Sequence, residues 1–199
     1  MRAIDLNAAS RDLLGPCCAA CSWWLTRPGV QAGPGLRGEW EREAEGEAGL
    51  FGRALLDGDA VIGWMHAAAP RLTPRARYLP AGPPSADAYL LTCAYFYDEE
   101  FLHGFRFLLQ EVEAALKHRR VAALEAFGLR HIRDDDAFRG YLRDLNLFNP
   151  DVLEGGGFRR VQEKGEVARF RLDLAALVET PRRSVAWERL EAPAGTQPV

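Results

Sequence analysis

Ala88-Tyr89-Leu90-Leu91-Thr92-Cys93-Ala94-Tyr95-Phe96-Tyr97 is apolar or aromatic on both of its alternating faces, the pattern of a strand covered on each side. From Phe101 the period turns helical. Phe101, Leu102, Phe105, Leu108, Leu109, Val112 and Leu116 recur on one face, and Lys117-His118-Arg119-Arg120 sets positive charge at the helix's negative end. Val121-Ala122-Ala123-Leu124-Glu125-Ala126-Phe127 then reads as a short strand. Strand, helix and strand make a β-α-β unit with a parallel, right-handed crossover, which commits the chain to an α/β fold.

Upstream, Arg2 to Leu6 predicts a strand, and Asn7-Ala8-Ala9-Ser10 opens a short helix that ends at Gly15-Pro16. Leu36 to Ala48 predicts an exposed amphipathic helix bearing Glu39, Glu41, Glu43, Glu45 and Glu47. Two apolar runs around Asp57-Gly58-Asp59, Gly52 to Leu56 and Ala60 to His66, predict a β-hairpin. A Pro-rich loop, Ala67 to Asp87, follows.

Downstream, Asp134-Asp135-Asp136 caps a helix through Tyr141, Leu142 and Leu145, which Asn149-Pro150 interrupts. Gly155-Gly156-Gly157 turns the chain into two strands, Phe158 to Glu163 and Val167 to Leu174, the second with an alternating pattern. The expectation is one α/β domain over residues 1–177, with a mixed central sheet flanked by helices, and a tail or docking arm over 178–199.

Composition narrows the function. The 199 residues are 48% hydrophobic and 27% charged, an ordinary globular balance. Twenty-five Lys and Arg against 28 Asp and Glu give a net charge of -3, so no global cationic field draws nucleic acid or an anionic membrane. No run approaches the ~18 apolar residues of a membrane span, and Met1 to Leu6 lacks the apolar core of a signal peptide. A cytoplasmic protein with reduced thiols is expected, since Cys17, Cys18 and Cys21 crowd together while Cys93 stands apart.

This order of elements, over roughly Arg2 to Leu174, resembles the GNAT superfamily of CoA-dependent N-acyltransferases. Arg53 to Trp64 looks like that family's second and third strands, and Leu90 to Tyr97 with Phe101 to Lys117 looks like its cofactor-binding strand and helix. Ala123 to Phe127 looks like its fifth strand, and Gly156-Gly157-Phe158 with Val167 to Leu174 resembles its common ending. The resemblance implies a GNAT-like α/β fold and acetyl transfer from acetyl-CoA to an amine of a small molecule or peptide.

It also implies site residues. The family's pyrophosphate loop, Arg/Gln-x-x-Gly-x-Gly/Ala, corresponds to Tyr97-Asp98-Glu99-Glu100-Phe101-Leu102-His103-Gly104-Phe105-Arg106, which has one glycine and three consecutive acids. Acids there repel a pyrophosphate. In one reading the loop still binds CoA, through amides near His103, Gly104 and Phe105 with Arg106 supplying charge. In the other, the site has decayed and the fold serves as a catalytically silent binding or interaction protein, presenting the former acceptor groove or an aromatic face around Trp23, Trp24 and Trp40. For the active reading, the resemblance places a backbone N–H for the thioester oxygen near Cys93, Ala94 and Tyr95. Glu125 is the candidate base and Tyr141 the candidate acid for the departing thiolate.

Cys93 itself has no His nearby in sequence, and a buried strand thiol is usually inert. Cys18-x-x-Cys21 has half of a zinc-knuckle spacing, with Cys17, His66 or Cys93 as further ligands, but the second Cys-x-x-Cys is absent, so packed free thiols and no metal are expected. Arg71, Arg75 and Arg77 form a local basic patch in the Pro-rich loop, read as solvated or as a partner for a CoA phosphate. A homodimer sharing terminal strands or the tail is a further expectation.

Overall fold

A computed structural model describes residues 1–33, 35–97, 101–130 and 146–177 of the chain. Seven strands form one mixed sheet: β1 (Arg2–Leu6), β2 (Gly52–Asp57), β3 (Ala60–Ala68), β4 (Ala88–Phe96), β5 (Ala123–Leu129), β6 (Arg159–Lys164) and β7 (Val167–Asp173). Their spatial order is β1-β2-β3-β4-β5-β7-β6. The β4–β5 pair is parallel and the others are antiparallel. The helices are α1 (Pro16–Ala19), α2 (Leu36–Ala48), α3 (Phe101–His118) and α4 (Pro150–Gly155).

Each face of the sheet carries a core. On one, Phe105, Leu108, Leu109, Val112 and Leu116 of α3 pack on Leu55, Met65, Leu91, Leu124 and Phe170, as the helical spacing predicts. On the other, Trp40 and Ala44 of α2 pack with Trp24, Phe51, Trp64, Leu90 and Phe127. Glu41 departs from the expected exposed helix face. It is buried beside Trp40.

The hairpin forms where Asp-Gly predicts it, with Asp57 opposite Ala60. Gly58, first of the two loop residues, has φ 58°, a conformation that glycine adopts without steric penalty. Asn7 caps the first short helix, a 3₁₀ turn over Ala8–Leu13, in reciprocal hydrogen bonds with Ser10.

Three expectations are corrected. The central strand ends at Phe96, and Tyr97 is exposed. Asn149-Pro150 begins a helix: the Asn149 Oδ1 accepts the Asp151 N–H at 2.9 Å and Pro150 takes the first helical position, so α4 stands where only a turn was expected. The fifth strand starts at Ala123 and runs to Leu129, because its register is set by β7 along its whole length. The predicted helix over residues 134–145, the Asp98-Glu99-Glu100 stretch and the tail lie outside the described residues.

The site is positioned by a break in the sheet. β3 and β4 run in register from Gly63 opposite Phe96 to His66 opposite Cys93, and then Ala67 pairs with Leu91. Thr92 is therefore the extra residue of a β-bulge, which bends β4. On its other side β4 pairs with β5 only from Ala88 to Leu90, against Ala123 to Glu125. Past that point β5 bonds instead to a returning segment: the Phe148 N–H donates to the Phe127 carbonyl at 2.8 Å, and the Leu129 N–H to the Phe148 carbonyl at 2.9 Å. The two central strands are thus splayed apart from the bulge onward.

Candidate functional site

A cavity of about 140 Å³ opens at this splay. Thr92, Cys93, Ala94 and Tyr95 of β4 form one wall, His66 of β3 lies beside them, and Arg37 and Trp40 of α2 face them. Cys18, Cys21, Trp24, Leu25 and Asn146 complete it. It is smaller than the pockets that enclose drug-sized ligands, so it suits a small molecule or the reactive end of a longer one.

His66 is its central polar group. The ring is buried between Trp40 and Phe51, with centroids 6.2 and 5.9 Å away. Its Nδ1 is 3.1 Å from the Cys93 Sγ, and its Nε2 is 3.5 Å from Arg37 Nη2. A guanidinium only donates, so Nε2 is assigned as the acceptor and Nδ1 carries the proton toward sulfur. Burial first, then the positive charge of Arg37, holds the imidazole pKa well below its ordinary value. Burial likewise pushes the Cys93 thiol up to about 12. The pair is a neutral imidazole and a neutral thiol, unlike an activated thiolate–imidazolium couple.

Arg37 is held by Glu41 one turn along α2, Nε to carboxylate oxygen 2.8 Å, and its guanidinium stacks on Trp40 at 4.5 Å. Arg11 reaches the other oxygen of Glu41 at 2.5 Å. The Trp24 indole N–H donates to the Thr92 carbonyl, the group exposed by the bulge, and the ring lies stacked 6.2 Å from Phe127 on β5. Trp24 therefore bridges the splayed strands.

The residues singled out from sequence separate into groups. Cys93, Ala94 and Tyr95 line the cavity. Gly104 lies in the first turn of α3, where an added Cβ would come within 3.1 Å of the Phe96 ring, so close packing is the visible reason for glycine. The Phe105 side chain is core, between Phe96 and Phe148. His103 and Arg106 are exposed, and the Arg106 guanidinium lies beside Gly155 at the end of α4. Tyr141 lies outside the described residues.

Glu125 is fully buried and does not line the cavity. The Ser85 N–H and hydroxyl donate to it at 2.9 and 2.7 Å, and Arg169 Nη1 lies 2.7 Å from both oxygens. Of the expected aromatic face, Trp24 and Trp40 are buried in the core and Trp23 is half-buried against it. Arg71 pairs with Glu43 and Glu47 of α2, and Arg75 bonds to Trp23 and Thr26. Cys21 and Cys93 are free thiols, and among the described residues no group of three or more His, Cys, Asp or Glu is placed to hold a metal ion. No described helix is long and apolar enough to cross a membrane.

No protein-family model matches the chain, and no curated protein does. Solved structures do. An N-acetyltransferase from Staphylococcus aureus Mu50 superposes with a TM-score of 0.50 at 11% identity, covering 87% of this chain and 98% of that one. The fold is GNAT-like. Two further structures align with the chain, the PaiA N-acetyltransferase from Thermoplasma acidophilum in complex with coenzyme A and the GphF GNAT-like decarboxylase in complex with isobutyryl-CoA. The first gives a TM-score of 0.47 at 13% identity over 86% and 98% of the two chains, the second 0.49 at 17% over 87% and 100%.

Proposed function

We propose that the chain transfers an acyl group from acyl-CoA, in the first instance acetyl-CoA, to an amine of a small molecule or peptide. The observation that carries this reading is the splay: a GNAT-like sheet whose parallel pair separates after Leu90 and Glu125, with a cavity against the freed Thr92–Tyr95 stretch. A thioester laid along that stretch has its carbonyl at the backbone of β4 and its acyl carbon at the cavity, where the acceptor amine meets it. In this reading the pyrophosphate is held at the N-terminal end of α3, by backbone N–H groups near His103, Gly104 and Phe105, with Arg106 supplying positive charge.

In this reading the neutral His66 is the basic side chain nearest the reacting amine. Glu125 anchors the sheet end beside the cavity through Ser85 and Arg169. Tyr141 keeps the role that the resemblance implies, proton donor to the departing thiolate, and Tyr141→Phe lowers kcat.

A specific observation favours a second reading, a binding protein without catalysis. Trp24 occupies the splay and takes the Thr92 carbonyl for its own N–H. Thermal unfolding with and without millimolar acetyl-CoA, and with CoA alone, separates the two. A ligand at ~100 times its Kd adds about 2.7 kcal/mol, which raises the midpoint of a chain this size by roughly 5 to 10 °C. A rise that Arg106→Glu abolishes supports acyl transfer at a remodelled phosphate site. An unchanged midpoint overturns it in favour of the binding protein.

A further inference from the structure

The chemistry of the ligand is written in the charge balance around Arg37. Two guanidinium groups, Arg11 and Arg37, close on one buried carboxylate, Glu41, and among the described residues neither has a second acidic partner. The cluster therefore keeps a net positive charge. Arg11 is 45% exposed and water screens it, whereas Arg37 is 11% exposed and lies in the cavity wall.

The donors of Arg37 are unevenly used. Nε is taken by Glu41 at 2.8 Å, while Nη1 and Nη2 make only long contacts, 3.4 Å to the Cys21 carbonyl and 3.5 Å to His66 Nε2. Each of these nitrogens carries two N–H groups, so the outer edge of a nearly buried guanidinium is left under-bonded beside the cavity. The plane is already oriented by Glu41 and by stacking on Trp40, so little side-chain entropy is lost when a ligand binds.

Resting on the acyl-transfer reading, we infer that Arg37 recognises a carboxylate on the substrate, so that the molecule reacting in this cavity carries an acid group within a few carbons of the acyl or amine centre. A planar carboxylate matches the two-nitrogen edge of the guanidinium in a bidentate pair. A phosphate dianion fits poorly, because the one cation among the described residues of the lining is already shared with Glu41, and Trp24, Leu25 and Trp40 line the cavity beside it. The carboxylate has two possible sources. It is the ω-carboxylate of a dicarboxylic acyl-CoA or the carboxylate of an amino-acid acceptor.

Calorimetric titration of the full chain distinguishes them. One arm compares succinyl-CoA with butyryl-CoA, which differ at the terminal group. The other, with CoA present, compares γ-aminobutyrate with 4-aminobutanamide. A preference of about tenfold or more for the charged member in either arm, lost in Arg37→Met and partly kept in Arg37→Lys, supports the inference and identifies the source. A smaller preference in both arms, or one that survives in Arg37→Met, overturns it. The comparison in the unaltered protein stands even where the variants fail to fold. Absence of any CoA binding removes the acyl-transfer reading alone, because the amino-acid arm, run then without CoA, still decides the role of Arg37.

Discussion

His66 on β3 and Cys93 on β4 stand opposite one another in register, with Nδ1 3.1 Å from Sγ, one residue from the bulge at Thr92. The thiol sulfur accepts the imidazole N–H hydrogen bond and stays neutral. An exposed cysteine titrates near 8.5, and the burial that raises Cys93 to about 12 leaves almost no thiolate at pH 8.

Iodoacetamide at pH 8 should accordingly label Cys93 at least tenfold more slowly than the same residue in urea-unfolded chain, measured by peptide mass spectrometry. Comparable rates in the two states would show that the thiol is activated.

Burial of the neutral imidazole makes stability depend on pH. The unfolded chain protonates His66 near 6.5, while the folded chain resists until well below that, so the unfolded state binds the extra proton and stability falls as pH drops below about 6.5. His66→Gln should flatten this limb of the stability curve between pH 7 and 5 in urea titrations. A variant as acid-sensitive as the parent would refute the assignment.

Glu113 on α3 acts in the opposite sense. Desolvation raises its carboxyl pKa to about 7, so the folded chain holds a proton that the unfolded chain releases near the ordinary carboxylate value, and stability is lost as pH rises through about 7. Glu113→Gln should raise stability at pH 8 by about 1 to 3 kcal/mol and change little at pH 4. Because its effect and that of His66 offset between these pH values, the single variants reveal slopes that the parent chain conceals.

The Glu125 carboxylate, fully buried, depends on Arg169 for its short ionic contacts; Arg171 is 3.6 Å away. Removing one partner of a buried pair leaves an uncompensated charge, a loss of roughly 3 to 5 kcal/mol. Arg169→Met should destabilise by that amount in urea unfolding, and the Glu125→Leu/Arg169→Leu double variant should recover much of it. A loss below 1 kcal/mol for the single variant would mean that Ser85 and Arg171 suffice.

Part of the candidate site was legible in the chain. The family resemblance carried by the aromatic strand points to Cys93, Ala94 and Tyr95, and these three residues lie in the wall of the cavity. His66 is visible in the chain only as a distant ligand for the Cys18-x-x-Cys21 pair; its place opposite Cys93 was hidden because the connection from β3 to β4 is long, so no tight turn fixes which residues face each other, and the bulge at Thr92 shifts the register besides. Arg37 carried a readable signal, the i,i+4 pairing with Glu41. Five glutamates along α2 made the helix read as solvated, although Glu41 and Trp40 lie on its buried side.

The sequence by itself determined the elements and their class. Periodicity, capping residues and Asp-Gly turns are short-range signals, and they located β1, α2, the hairpin and α3 to within a residue or two. Only the tertiary structure decided which side chains share a site. Arg37, His66 and Cys93 come from three elements, and Glu125 meets Arg169 from 44 residues away. Those meetings depend on strand register, on one bulged residue and on the balance of burial against charge, which are properties of the assembled sheet and not of any local stretch of chain.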